Sequence, residues 1–269
     1  MNTKKSICLL AILFSISFLS DCTGSPRKPW RNIKAAELIS PQQLPEDKSM
    51  TVDLHIHLFR IQTNKLPQIQ NQIGQTDTLP VKYDDPNAFL ANGLISCAGD
   101  RASWQKIAQL VALAQPQTIK HINILMTENI AEDVVIAEAN QPVSIAYRSS
   151  DTTAGIGFGA GQTILRIKAS SLIGLREVCR LDITPVYRTA AAQKTKKRSA
   201  GRENYESVFE SATLNVHLQP GQFVLLAPTQ ALTDPNTAQT IGDILFSSQN
   251  PQKTVNLCII ACNLINSPL

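Results

Sequence analysis

The sequence predicts an α+β fold, in which an N-terminal mixed α/β part is followed by a β-rich antiparallel sandwich or open barrel. Residues 50–128 alternate runs of strand periodicity with runs of helical periodicity. Residues 129–269 hold strand-like runs separated by Gly, Pro, Ser and Asn, and convincing helical periodicity is absent after Ala114. Strands at this turn spacing favour an antiparallel sandwich or open barrel.

Residues 1–22 have the features of a secretory signal peptide. Two lysines give a positive start, and Ile7–Leu19 is an apolar run too short to span a bilayer as a stable helix. Cys22 follows at the exit, and its placement resembles the lipobox of bacterial lipoproteins, where this cysteine is acylated. The resemblance implies lipidation of Cys22 and membrane attachment through the N-terminal lipid. Asp21 departs from the pattern, so an ordinary secreted or periplasmic protein and an uncleaved anchor are the alternatives.

Residues 23–49 hold several prolines and charges without a clear period, which is typical of a tether. The mixed part then opens with the clearest strand of the chain, Met50–Ile61, in which apolar side chains alternate with more polar ones. Asp85-Pro86 indicates a helix start and Asn92-Gly93 its end. The other elements predicted here are a helix over Asn64–Ile73, a strand over Leu94–Ala98, a helix over Arg101–Ala114 capped by Asp100, and a strand over His121–Met126.

The β-rich part is predicted from a series of short apolar runs. These strands cover Asp133–Ala137, Val143–Tyr147, Thr163–Ala169, Arg180–Tyr187, Ala212–Leu218, Phe223–Ala227 and Val255–Ile265. Between two of them lies the basic stretch Ala190–Gly201, whose lysines cannot be buried unpaired. We therefore expect this stretch to be an exposed loop that trypsin cleaves first.

Charge and cysteine content exclude some functions and leave others open. The formal net charge of +4 is concentrated in a few basic stretches that form no recognisable nucleic-acid module, so nucleic acid is not an expected partner. Beyond the signal and Cys22, the chain has Cys97, Cys179, Cys258 and Cys262. An envelope location permits disulfides among these four, and buried free thiols are the other possibility. On one strand, Cys258 and Cys262 would be too far apart to bond each other.

His55 and His57 form the sharpest candidate site. Residues two apart on a strand share a face, and the segment resembles the His-x-His metal motif of amidohydrolases, which implies a metal-dependent hydrolase as an alternative function. That family needs further ligands on later parallel strands, and only His121 and His217 are left. It also needs a helix after each strand. We therefore predict that His55 and His57 lie on the wetter face of a half-buried strand and hold no catalytic metal.

Other catalytic patterns are absent from the sequence. The glycine-rich run Gly155–Gly161 is followed by a strand rather than a helix, so it favours a hairpin over a phosphate loop. No G-x-S-x-G nucleophile motif occurs. The carboxylate pairs Glu132-Asp133 and Asp84-Asp85 are typical of caps and turns. The sequence thus predicts neither an enzyme nor a bound cofactor.

One ordered pattern spans the β-rich part and resembles the core domain of bacterial secretins. It comprises Gln162–Lys168, Leu181–Tyr187 with its Thr-Pro pair, Ser211–Leu218, the turn Pro220-Gly221-Gln222 into an apolar strand, Thr240–Phe246, and a hydrophobic last strand. Val52–Ile61 similarly resembles the strand that opens the secretin core. The resemblance implies a secretin-like fold in an envelope protein.

Taken together, these features predict a non-catalytic bacterial envelope protein, exported and either attached to the outer membrane or periplasmic. We expect it to act in assembly, secretion or binding. Its expected partners are the membrane, other copies of itself, or other envelope proteins.

Overall fold

Sheet 1 is an antiparallel sheet built from both ends of the domain. Its strands are β1 (Thr51–Gln62), β3 (Leu94–Gly99), β4 (Gln117–Thr127), β12 (Phe223–Pro228) and β13 (Thr254–Asn266). They lie in the order β3-β12-β13-β1-β4, with β1 between β13 and β4. β1 forms as its alternating sequence predicts: Val52, Leu54 and Ile56 are completely buried, and the residues between them are half-buried.

Sheet 2 carries most of the remaining strands. They are β2 (Val81–Tyr83), β5 (Ala131–Ala139), β8 (Gly161–Leu172), β9 (Leu175–Thr189) and β11 (Leu214–Leu218), in the order β2-β11-β9-β8-β5. A short strand, β10 (Glu206–Val208), pairs with β9, while β6 (Val143–Ser149) and β7 (Thr152–Phe158) pair with each other. These named strand pairs are all antiparallel, and among the described strands neither main sheet closes on itself.

The computed structural model describes residues 49–76, 79–114, 116–149, 152–190, 206–230, 238–246 and 253–266. They belong to one unit, Lys48–Leu269. The predicted signal peptide with Cys22, nearly all of the tether and most of the predicted loop Ala190–Gly201 lie outside the described residues.

Three helices follow the predictions made for the mixed part. They are α1 (Leu66–Thr76), α2 (Pro86–Ala91) and α3 (Arg101–Leu113). Asp85 caps α2 by accepting a hydrogen bond from the Ala88 backbone N–H at 2.9 Å, and Asp100 caps α3 through the Ser103 N–H at the same distance. Helices α1 and α3 pack against β3 and against each other, and therefore cover only part of sheet 1. None of the helices in the described ranges is long and apolar enough to cross a bilayer.

A fourth helix, α4 (Ile241–Phe246), corrects the prediction that the chain lacks helices after Ala114. All six of its residues are buried. Helix α4 contacts strands of both main sheets and β6, so it fills the space between them. A helix that is buried on every side shows no amphipathic period, which is why the sequence pattern failed to reveal it.

Both main sheets combine strands from the predicted mixed part with strands from the predicted β-rich part. β1 pairs with β13, β3 with β12, and β2 with β11. One continuous set of buried apolar side chains extends over both sheets. The predicted fold class, an α+β start followed by an antiparallel β-rich part, is confirmed, although its two parts build a common core.

Candidate functional site

Three histidines meet on the outer face of sheet 1. His55 and His57 lie two residues apart on β1, so both point away from the buried side chains of Leu54 and Ile56. His121 comes from β4, where it stands directly opposite His57 in the antiparallel register. We call His55, His57 and His121 the histidine cluster.

The geometry of the histidine cluster is that of a possible ligand set. One nitrogen from each ring lies within 4.8 Å of the corresponding nitrogens of the other two. The rings of His57 and His121 stack with their centres 4.3 Å apart and an interplanar angle of 10°. The His55 ring meets the His121 ring edge-on at 5.7 Å. His55 and His57 are half-buried and His121 is exposed, so the cluster faces solvent.

A groove of about 330 Å³ lies beside the cluster. His55 and His57 line it from β1, Arg101 and Trp104 from α3, and Phe223 from β12. The Trp104 and Phe223 rings contact each other edge-on with their centres 5.4 Å apart, which fixes α3 on the neighbouring strand. Because α3 packs on β3 and contacts β12 through Trp104, it forms one wall of this groove.

The charges around the cluster are few. The Asp53 carboxylate Oδ2 lies 3.6 Å from Nε2 of His55, and it accepts a hydrogen bond from Nδ2 of Asn263 at 2.6 Å. Partial burial lowers the pKa of His57, and the neighbouring imidazoles of His121 and His55 lower it further by repulsion between positive charges. A depressed pKa keeps the His57 imidazole neutral at neutral pH, which is the form that can bind a metal.

The structure brings together histidines that are far apart in the sequence. His55 and His57 occupy the less buried face of β1, as predicted. The third imidazole was missed, because His121 was considered only as a residue on a parallel barrel strand. It lies instead on β4, the antiparallel neighbour of β1, and the register of this pair places His121 opposite His57. His217 lies on β11 of sheet 2, opposite Arg180, and does not belong to the cluster.

The amidohydrolase alternative finds no scaffold in the described residues, whose named strand pairs are all antiparallel. A βα barrel requires parallel strands with a helix after each. The prediction that the histidines hold no catalytic metal is untested and stays a prediction. The structure does bring a third imidazole, that of His121, to His55 and His57.

The glycine-rich run and Asp133, which the sequence also offered as candidates, have structural roles. The glycine-rich run lies in β7 and at the start of β8, with no helix start to cradle a phosphate. Asp133 joins Glu206, Arg166 and Arg188 in an ion-pair network on sheet 2. Arg166 Nε lies 2.8 Å from Asp133 Oδ1, and Arg188 Nη2 lies 2.9 Å from Glu206 Oε2.

The four cysteines of the core are buried, and no disulfide joins them within the described residues. Cys179 on β9 and Cys262 on β13 are hydrogen-bonded to each other, and this contact together with burial raises the pKa of Cys262. Burial raises the pKa of Cys258 to about 12. A buried thiol with a raised pKa is a poor nucleophile, so we assign no catalytic role to Cys258 or Cys262.

No family model matches the sequence, and no curated protein matches it. Among solved structures, the chain is similar to the InvG secretin domain β-barrel from the Salmonella SPI-1 injectisome, with 11% identity over 82% of this chain and 64% of that one, at a TM-score of 0.25. It is also similar to the V. cholerae type IV competence pilus secretin PilQ, with 9% identity over 81% and 61% and a TM-score of 0.24. Aeromonas hydrophila ExeD is 11% identical over 81% of this chain and 46% of that one, with a TM-score of 0.19.

InvG and PilQ are secretins, the family that the sequence pattern resembles. The chain spans 64% or less of the length of each of the three.

Proposed function

We propose that this chain is an exported lipoprotein of the bacterial envelope, whose secretin-like β domain acts by assembly and not by catalysis. The order of the secretin-like segments supports the family resemblance. The Thr184-Pro185 pair lies within β9, Pro220–Gln222 forms the turn into β12, and Ile241–Phe246 forms α4 ahead of β13. The signal-like start and Cys22 support export and anchoring.

The observation that carries the assembly proposal is the exposed edge of sheet 1. Within the described residues, β4 pairs with β1 along one side only. It is 11 residues long and most of its side chains are exposed. Leu125 is 72% exposed and stands opposite Asp53 of β1. On its other side Asp53 stands opposite Leu264 of β13, which is 52% exposed. A long edge strand with exposed leucines is a template for pairing with another chain.

The native size of the membrane-extracted protein tests this proposal. In a mild detergent, light scattering after size exclusion should give a protein mass greater than the 29.4 kDa of one chain. Leu125→Lys should reduce that mass, because a charge on the edge strand opposes pairing. Leu113→Lys is the matched control, since Leu113 is 73% exposed but lies on α3. A single-chain mass for the wild-type protein, or equal effects of both variants, would contradict assembly through β4.

Cell fractionation tests the lipid anchor. Lipoproteins carry more than one acyl chain, so wild-type protein should stay with membranes through a salt wash. Cys22→Ser should release it into the soluble envelope fraction. Wild-type protein that is already soluble would refute lipidation at Cys22 and leave the assembly proposal to be decided by the mass measurement.

A further inference from the structure

We propose that the histidine cluster binds one divalent first-row transition-metal ion, with Zn²⁺ as the reference ion. This inference does not depend on the proposed function. It concerns a binding site at the surface of sheet 1, formed by His55 and His57 of β1 and His121 of β4.

The donor set fits such an ion. Imidazole nitrogen suits Zn²⁺, Cu²⁺ and Ni²⁺, whereas Mg²⁺ and Ca²⁺ prefer oxygen. Zn–N bonds of about 2.0–2.1 Å in a tetrahedral arrangement place ligand nitrogens roughly 3.3 Å apart. The cluster nitrogens already lie within 4.8 Å of one another. Rotations of three half-buried or exposed rings can close the difference without moving the backbone.

The strands hold these side chains in place before any ion binds. β1 is paired on both sides, with β13 and with β4, and its alternate residues Leu54 and Ile56 are fully buried. His57 and His121 form a direct cross-strand pair. Ligands on paired strands are positioned more accurately than ligands on loops, so little ordering is needed on binding.

Asp53 lies beside His55, where a carboxylate could form the outer contact that such sites use. Histidines that bind metals commonly donate their other ring N–H to a carboxylate, which fixes the tautomer and the ring orientation. Asp53 Oδ2 lies 3.6 Å from His55 Nε2, and Asn263 holds that carboxylate by a hydrogen bond of 2.6 Å. A small rotation of either side chain converts the 3.6 Å separation into a hydrogen bond.

Three protein ligands leave coordination positions open to solvent. Structural zinc sites are closed by four protein ligands, whereas a site with three retains water or takes an outside ligand. The cluster lies next to the groove lined by Arg101 and Trp104. The fourth position is therefore accessible to water or to a donor atom of a partner.

Zinc titration of the full chain, extracted in mild detergent and carrying no histidine tag, tests the proposal. Competition with a chromophoric chelator should show one Zn²⁺ per chain with a Kd of about 10 µM or tighter. His121→Asn should weaken binding at least tenfold. His217→Asn is the matched control, because His217 is exposed on sheet 2, and it should leave the Kd unchanged.

The Co²⁺ spectrum identifies the ligands independently. Nitrogen and oxygen ligation gives d–d bands without the intense thiolate charge-transfer band that cysteine ligation would produce. His55→Asn serves as a second ligand variant, and circular dichroism without metal should show all variants folded. A wild-type Kd weaker than about 10 µM, thiolate bands, or wild-type affinity in His121→Asn would overturn the proposal.

Discussion

Gly242→Ala is expected to destabilise the fold strongly, because two backbone segments touch at this position. A Cβ on Gly242 would lie 1.9 Å from the carbonyl oxygen of Gly93 and 2.5 Å from its carbonyl carbon. These atoms belong to the backbone, so no flexible side chain can move aside. Gly93 itself has φ +79°, a conformation that glycine adopts without strain. Its backbone N–H donates a hydrogen bond to the Leu90 carbonyl at 3.0 Å, and its carbonyl accepts one from the Thr229 N–H, so it has little freedom to shift.

The magnitude follows from the contacts around that peptide. Overpacking of a filled core costs about 1–3 kcal/mol. Displacing the Gly93 peptide also strains two hydrogen bonds of 2.9 Å, from Gly242 N–H to the Asn92 carbonyl and from Thr229 N–H to the Gly93 carbonyl, at about 1 kcal/mol each. The higher helix propensity of Ala offsets at most about 1 kcal/mol of this loss in the free energy of unfolding. The free energy of unfolding should therefore fall by about 2–4 kcal/mol.

Urea denaturation followed by far-UV circular dichroism measures this change. The matched control is Gly74→Ala, an exposed position in α1 where an added Cβ meets nothing within 4 Å. This control should raise the free energy of unfolding by about 0.5–1 kcal/mol. If Gly242→Ala unfolds at the same urea concentration as the wild-type protein, the close approach of the two glycines is not present and the reasoning fails.

Three further predictions concern charge, burial and thiol chemistry. Partial burial would raise the pKa of Asp133, but hydrogen bonds from Arg166 and Arg188 lower it overall. The free energy of unfolding should therefore fall as the pH drops from about 5 through the lowered pKa, and Asp133→Asn should flatten that slope in urea titrations at successive pH values. Tyr187→Phe should cost about 1 kcal/mol or more in the same assay, since the buried Tyr187 hydroxyl donates to the Gly159 carbonyl at 2.7 Å; an unchanged midpoint would contradict this. Cys258 should react with a thiol reagent only after unfolding, because burial raises its pKa to about 12, and labelling of the native protein detected by peptide mass would refute this.

Local chemistry allowed much of the fold to be predicted. Strict alternation identified β1, and the capping residues Asp85 and Asp100 located the starts of α2 and α3. Short or fully buried elements gave weaker signals. β2 has only three residues, too few to show a period.

Helix α4 did carry one readable signal. Thr240 and Asp243 form a reciprocal cap, in which the Asp243 carboxylate accepts from the Thr240 N–H at 2.8 Å and Thr240 Oγ1 accepts from the Asp243 N–H at 3.2 Å. The pattern of Thr followed three residues later by an acidic residue could have marked the helix start. Neither a helix nor a strand was predicted over Ile241–Phe246, because a helix buried on every side shows no amphipathic period.

The histidine cluster shows where sequence reasoning ends. The spacing of His55 and His57 was sufficient to place them on one face. Whether His121 joins them depends on which strand pairs with β1 and in which register. The register shifts once in each of the two pairings of β1. Such non-local pairing follows from how the whole core packs, so no local motif contains it.

The position of β13 has a consequence for the timing of folding during synthesis. β1 and β13 are paired along their whole length, although roughly 200 residues separate them in the chain. β13 also joins β12 to β1, so the middle of sheet 1 is missing until residues 254–266 are present. A chain made from its N-terminus therefore stays incompletely folded until its last strand has been made. Until then β1 lacks its β13 partner and is accessible to chaperones and proteases.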